Sequence, residues 1–80
     1  MLKDKNISQL AYMVSKDWKK VNYAAKPYLE AMYGLDTIND TFMFDSGKDI
    51  VLRFLCNASA WRGETAKAVK AELKSRAGIK

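Results

Sequence analysis

Apolar residues recur at three- and four-residue steps along most of this chain, and that spacing constrains its fold more than any other feature. Ile7, Leu10, Ala11, Val14, Trp18 and Val21 make one such series, and Ile50, Val51, Phe54, Leu55 and Ala58 make a second. A third runs through Ala66, Val69 and Leu73. An α-helix turns once in about 3.6 residues, so each series lies on one helical stripe that must be buried against another element. The chain has 80 residues, room for one hydrophobic core and not for two. The expected fold is therefore all-α: a single small orthogonal bundle of four to five helices over 1–80, with 1–5 and 77–80 frayed. Its core is expected to contain Trp18, Leu29, Phe54 and Val69.

Local signals mark where the helices begin and end. Asn6 is placed to cap a first helix expected over Ile7 to Val21, and Lys16, Lys19 and Lys20 crowd its last turns, where positive charge suits the helix dipole. Pro27 disfavours helix at Lys26 and suits a first helical turn. A break over Asn22 to Ala25 and a short helix from Pro27 to Tyr33 follow, with Leu29 and Met32 or Tyr33 inward and Gly34 as a left-handed cap. Leu35 to Ser46 reads as a short helical turn and then a packed loop. Thr41-Phe42-Met43-Phe44 could instead be extended, but one isolated strand would lack a partner. Ser46 and Asp49 have capping-box spacing at the start of the central helix. Asn57 to Gly63 connects it to a last helix over Glu64 to Arg76, terminated by Gly78.

Composition then narrows the chemistry. The chain has no histidine and a single cysteine, Cys56, which removes an intramolecular disulfide and the usual zinc, haem, Ser-His and Cys-His chemistries. No enzymatic activity, cofactor, catalytic residue or metal site is expected. Cys56, next to Leu55 of the apolar stripe, is expected to be a buried structural thiol. Ser46-Gly47-Lys48 has the look of the end of a P-loop, but Phe42 stands where its first glycine belongs and Asp49 would repel phosphate. Asp36, Asp40, Asp45 and Asp49 do not follow the spacing of a calcium loop, and helix capping accounts for them better. With no signal peptide and no apolar run near ~18 residues, the expected location is cytoplasmic, with no membrane partner.

The net charge of +5 is unevenly spread: +3 over 1–33, −2 over 34–58 and +4 over 59–80. Lys67, Lys70 and Lys74 recur at helical spacing and, with Arg62, Arg76 and Lys80 and with Lys16, Lys19 and Lys20 as candidate neighbours, make a candidate surface for nonspecific nucleic-acid binding. A merely solvated lysine face would look the same in sequence. Trp61 in the connector is expected to cap an edge of the core, but beside Arg62 it could instead anchor a protein partner. Tyr28, Tyr12 and Tyr23 are the other aromatic candidates for such a contact. The first functional expectation is a non-enzymatic interaction module that binds a protein partner, and the second is nucleic-acid binding by the last helix. Homodimerisation is an ordinary way for so small a chain to bury more surface.

Four segments taken together carry a resemblance. They are Asp17-Trp18-Lys19-Lys20-Val21, Pro27-Tyr28-Leu29-Glu30-Ala31-Met32, Asp45-Ser46-Gly47-Lys48-Asp49-Ile50-Val51, and the run from Phe54 through Trp61-Arg62-Gly63. The chain resembles a family of small helical proteins of prophages and other mobile elements of Gram-positive bacteria. The likeness covers about Leu10 to Lys74 and is most specific at Trp61-Arg62-Gly63-Glu64. That family has no assigned activity, so no site residue carries over. The resemblance implies a cytoplasmic accessory protein acting on nucleic acid or on a host protein.

Overall fold

A capping box opens the first helix. The Asn6 side-chain oxygen accepts from the Gln9 backbone N–H at 2.8 Å, and the Gln9 side chain accepts in return from the Asn6 N–H at 2.8 Å. These bonds satisfy donors that the first helical turn leaves unpaired. The structure, a computed structural model describing residues 2–42 and 45–78, is mainly α-helical. Its elements are a 3₁₀ turn at Leu2–Asp4, α1 (Ile7–Asp17), α2 (Lys26–Met32), β1 (Thr41–Phe42), β2 (Asp45–Ser46), α3 (Gly47–Cys56) and α4 (Glu64–Ala77).

α1 ends at Trp18, earlier than the apolar stripe predicts, because a local turn competes with the helix. The Asn22 side chain accepts from the Ala25 N–H at 2.8 Å and donates to the Asn57 carbonyl at 3.0 Å. Asparagine favours such turns over continued helix, and here it also pins the loop to the end of α3. Pro27 then sits in the first turn of α2 as expected.

Two expectations for the middle of the chain are corrected. Gly34 is not a left-handed cap; among the described residues the positive-φ glycines are Gly63 and Gly78. A Cβ on Gly34 would instead approach the Phe42 ring to 3.2 Å, so the small residue makes room for that ring. Nor is 35–46 a helical turn followed only by loop. Thr41 and Phe42 pair antiparallel with Ser46 and Asp45, so the strand finds its partner in the returning chain. Met43 and Phe44, which completed the extended reading, lie outside the described residues. The turn before the hairpin is fixed by Asp40, whose carboxylate accepts from the Asp36 and Thr37 N–H groups at 2.8 and 3.1 Å. Those two bonds, Thr37 first, hold the Asp40 carboxyl below its ordinary pKa.

α3 is capped by the Ser46 half of the expected box, the Ser46 hydroxyl accepting from the Asp49 N–H at 3.1 Å. It packs against both α2 and α4 and carries Ile50, Val51 and Phe54 into the core. Trp18, Leu29, Phe54 and Val69 are all buried there, together with Leu10, Val14, Met32, Leu35 and Leu73. α4 ends on Gly78 in the left-handed conformation, again as expected. Residues 2–4, expected to fray, form a turn that α4 ties down, and Ala77 is buried. Among the described residues no helix is long and apolar enough to cross a membrane.

Candidate functional site

The lysine row of α4 is only partly available to a ligand. Lys67 and Lys74 are exposed, as is Arg62 in the connector. Lys70 is half-buried instead: its ammonium donates to the Trp61 carbonyl and lies 5.8 Å from the centre of the Trp61 ring. Burial pushes its pKa below the ordinary lysine value, helped by the like charges of Lys74 and Arg62. Arg76 is also taken up by the fold. It bonds Glu72 at 2.8 Å and donates to the Leu2 and Lys3 carbonyls at 2.9 and 3.4 Å. Lys80 lies outside the described residues. Of the expected phosphate-binding side chains, then, Arg62, Lys67 and Lys74 are free of such structural work.

The two basic ends of the chain do not merge through Lys16. That residue shares a shallow groove with Tyr12, Met13, Asp17 and Thr65, its ammonium 5.1 Å from the centre of the Tyr12 ring. Thr65 lies about 200° round α4 from Lys67, on the opposite flank of the helix from the lysine row.

Trp61 is not an exposed anchor for a partner. It is 2% exposed, its ring stacked on Trp18 at 6.0 Å and 7° between planes. Its indole N–H donates to Asp17 at 2.7 Å. A ring this size with its polar atom satisfied is core, which corrects the partner-binding assignment. Tyr28 is half-buried against the same core, and a hydrogen bond to its hydroxyl is the main reason the Arg53 guanidinium pKa is raised. Cys56 is exposed rather than buried, because it falls about 200° round α3 from Phe54.

A different site emerges where α1 ends and α2 begins. Trp18, Lys19, Lys20, Lys26, Glu30 and Tyr33 line a groove of about 310 Å³ between the two helices. Its inner side is apolar, formed by Leu29 and the sliver of Trp18 (8%) that reaches the surface. Its rim carries three exposed lysines, none ion-paired among the described residues. Tyr33 is 43% exposed, and Tyr23 in the neighbouring loop is 90% exposed. Concave shape, fixed positive charge and exposed aromatic rings suit a flat, anionic ligand.

In sequence Lys19 and Lys20 suit either helix-end electrostatics or a place beside the α4 lysine row, and nothing there marks Lys26. The available signal was interleaving: lysines at 19, 20 and 26 alternate with Tyr23 and Tyr33 around a helix with proline in its first turn. No protein-family model matches the chain, and neither does a curated protein or a solved structure.

Proposed function

We propose that this chain is a non-enzymatic domain that binds nucleic acid by its phosphates at the groove between α1 and α2. The supporting observation is the cluster of Lys19, Lys20 and Lys26 on one concave rim, unpaired among the described residues. Lysines left without carboxylate partners bring counterions that a polyanion releases on binding, and this drives association. The exposed face of α4, with Arg62, Lys67 and Lys74, adds a weaker attraction from another side. The scaffold we propose is a small orthogonal bundle with α3 at its centre. The setting we propose is cytoplasmic, in an accessory protein of a mobile element, as the sequence resemblance implies.

Titration of random-sequence DNA and RNA at about 50 and about 200 mM salt tests this reading. Affinity should fall with salt along a log–log slope of about −2 to −3, the value for roughly three phosphate contacts. Reversing Lys19, Lys20 and Lys26 to glutamate should weaken binding more than tenfold, and Lys67→Glu with Lys74→Glu should weaken it less. Absence of binding at the lower salt would falsify the proposal.

A second reading, a protein-binding module, draws support from Phe42 and Tyr33, both partly exposed on either side of Gly34. It lacks the exposed tryptophan anchor that the sequence allowed, since Trp61 is buried, and the lysine rim plays no part in it.

A further inference from the structure

The groove between α1 and α2 combines two kinds of group that different nucleic acids would use differently. Its lysines serve any phosphate backbone. Its aromatic wall serves only a base whose face is free. We propose that the site takes single-stranded nucleic acid, with Tyr33 stacking on an unpaired base while Lys19, Lys20 and Lys26 hold the flanking phosphates. This inference rests on the nucleic-acid reading above and deepens it.

Shape is the first argument. A duplex hides its base faces and presents a broad convex surface, which a protein meets with a protruding element or an extended basic face. Here the lysines surround a recess of about 310 Å³. That is near the lower end of the roughly 300–1,000 Å³ typical of small-ligand clefts, enough for a base and its sugar.

The state of the aromatics points the same way. Tyr33 stands at the C-terminal end of α2 as a wall of the recess, 43% exposed, while its neighbour Met32 supplies the core contact. Base-on-ring stacking is insensitive to sequence because every base has a π-face. Tyr23, in the loop between Lys20 and Lys26, is 90% exposed but does not line the recess, so the stacking is assigned to Tyr33.

Glu30 is the third consideration. It lies one turn from Lys26 on α2 and also lines the groove, so its carboxylate repels phosphate there and leaves Lys19 and Lys20, ahead of α2, as the chief phosphate contacts.

Fluorescence anisotropy with a labelled random oligonucleotide of roughly 12 residues, single-stranded or annealed to its complement, tests the assignment. A poly-glutamate peptide of equal length serves as the competing polyanion. The single strand should bind at least about tenfold more tightly than the duplex at equal salt and should quench the emission of Trp18. Tyr33→Ala should weaken single-strand binding at least about fivefold. Tyr33→Trp should restore it, which separates loss of stacking from loss of fold. Equal binding of strand and duplex, indifference to Tyr33→Ala, or poly-glutamate binding as tightly as the strand would overturn the inference. The first two outcomes leave the broader nucleic-acid reading standing. Failure of both nucleic acids to bind overturns the two together.

Discussion

Lys70 is a positive charge turned toward the molecule rather than away from it. On helical spacing it belongs with Lys67 and Lys74, yet its ammonium donates to the Trp61 carbonyl beside the Trp61 ring. Lysine can do this because its long stem covers apolar surface while its head reaches a polar group. The cost is partial desolvation, which lowers its pKa from 10.5. Between that lowered value and 10.5 the unfolded chain holds the proton that the folded chain has released, so stability rises with pH across this window. Lys70→Arg keeps its charge throughout. Urea unfolding of the two proteins from neutral pH to about 10.5 should therefore show the native protein gaining on the variant as pH rises. A constant difference would mean that Lys70 is not desolvated.

At the scale of elements, the start of α3 depends on what it lies against as much as on its cap. The Gly47 N–H donates to the Asp40 carbonyl at 2.7 Å. A Cβ there would stand 2.9 Å from the Ile38 carbonyl oxygen and 3.0 Å from that of Asp40. Both obstacles are backbone and cannot swing aside, so Gly47→Ala should cost about 1–3 kcal/mol, read from the urea midpoint at unchanged slope. A neutral result would show that the turn at 37–40 shifts freely. The same contact explains what was legible in advance. α3 and α4 could be read because their stripes and caps are local, from Ser46 to Gly78. The hairpin could not, because the partner that an extended Thr41-Phe42 needs is the two-residue strand Asp45–Ser46, too short for any alternation to mark it. Cys56 was misplaced because adjacency to Leu55 in sequence says little about helical angle. The groove was hidden for a further reason: Trp18 ends α1 while Lys26 and Tyr33 stand at opposite ends of α2, and the Asn22 turn and the early end of α1 bring them together.

At the scale of the whole molecule, the chain closes on itself through Arg76. Its guanidinium reaches the carbonyls of Leu2 and Lys3 from the last turn of α4, while Glu72 one turn earlier holds its other side. The two side chains are 19% and 13% exposed, so the pair is shielded from water more than a surface ion pair is. Replacing Arg76 with Met keeps the stem but leaves the Glu72 carboxylate unpaired in a sheltered place, and should cost about 1.5–3 kcal/mol. Adding Glu72→Met should recover part of that loss, since the stranded charge is then gone. The Lys5 N–H, bonded to the Leu2 carbonyl at 3.0 Å, should exchange with solvent much faster in the Arg76→Met variant. Loss of stability below about 0.5 kcal/mol, with Lys5 exchange unchanged, would mean that the amino-terminal turn is held by something else. Affinity for single-stranded nucleic acid, measured well below the melting temperature, should not move in this variant. Arg76 would then be separated from the lysines proposed to bind phosphate by function as it is by position: a basic residue that joins the amino-terminal turn to α4, away from the groove between α1 and α2.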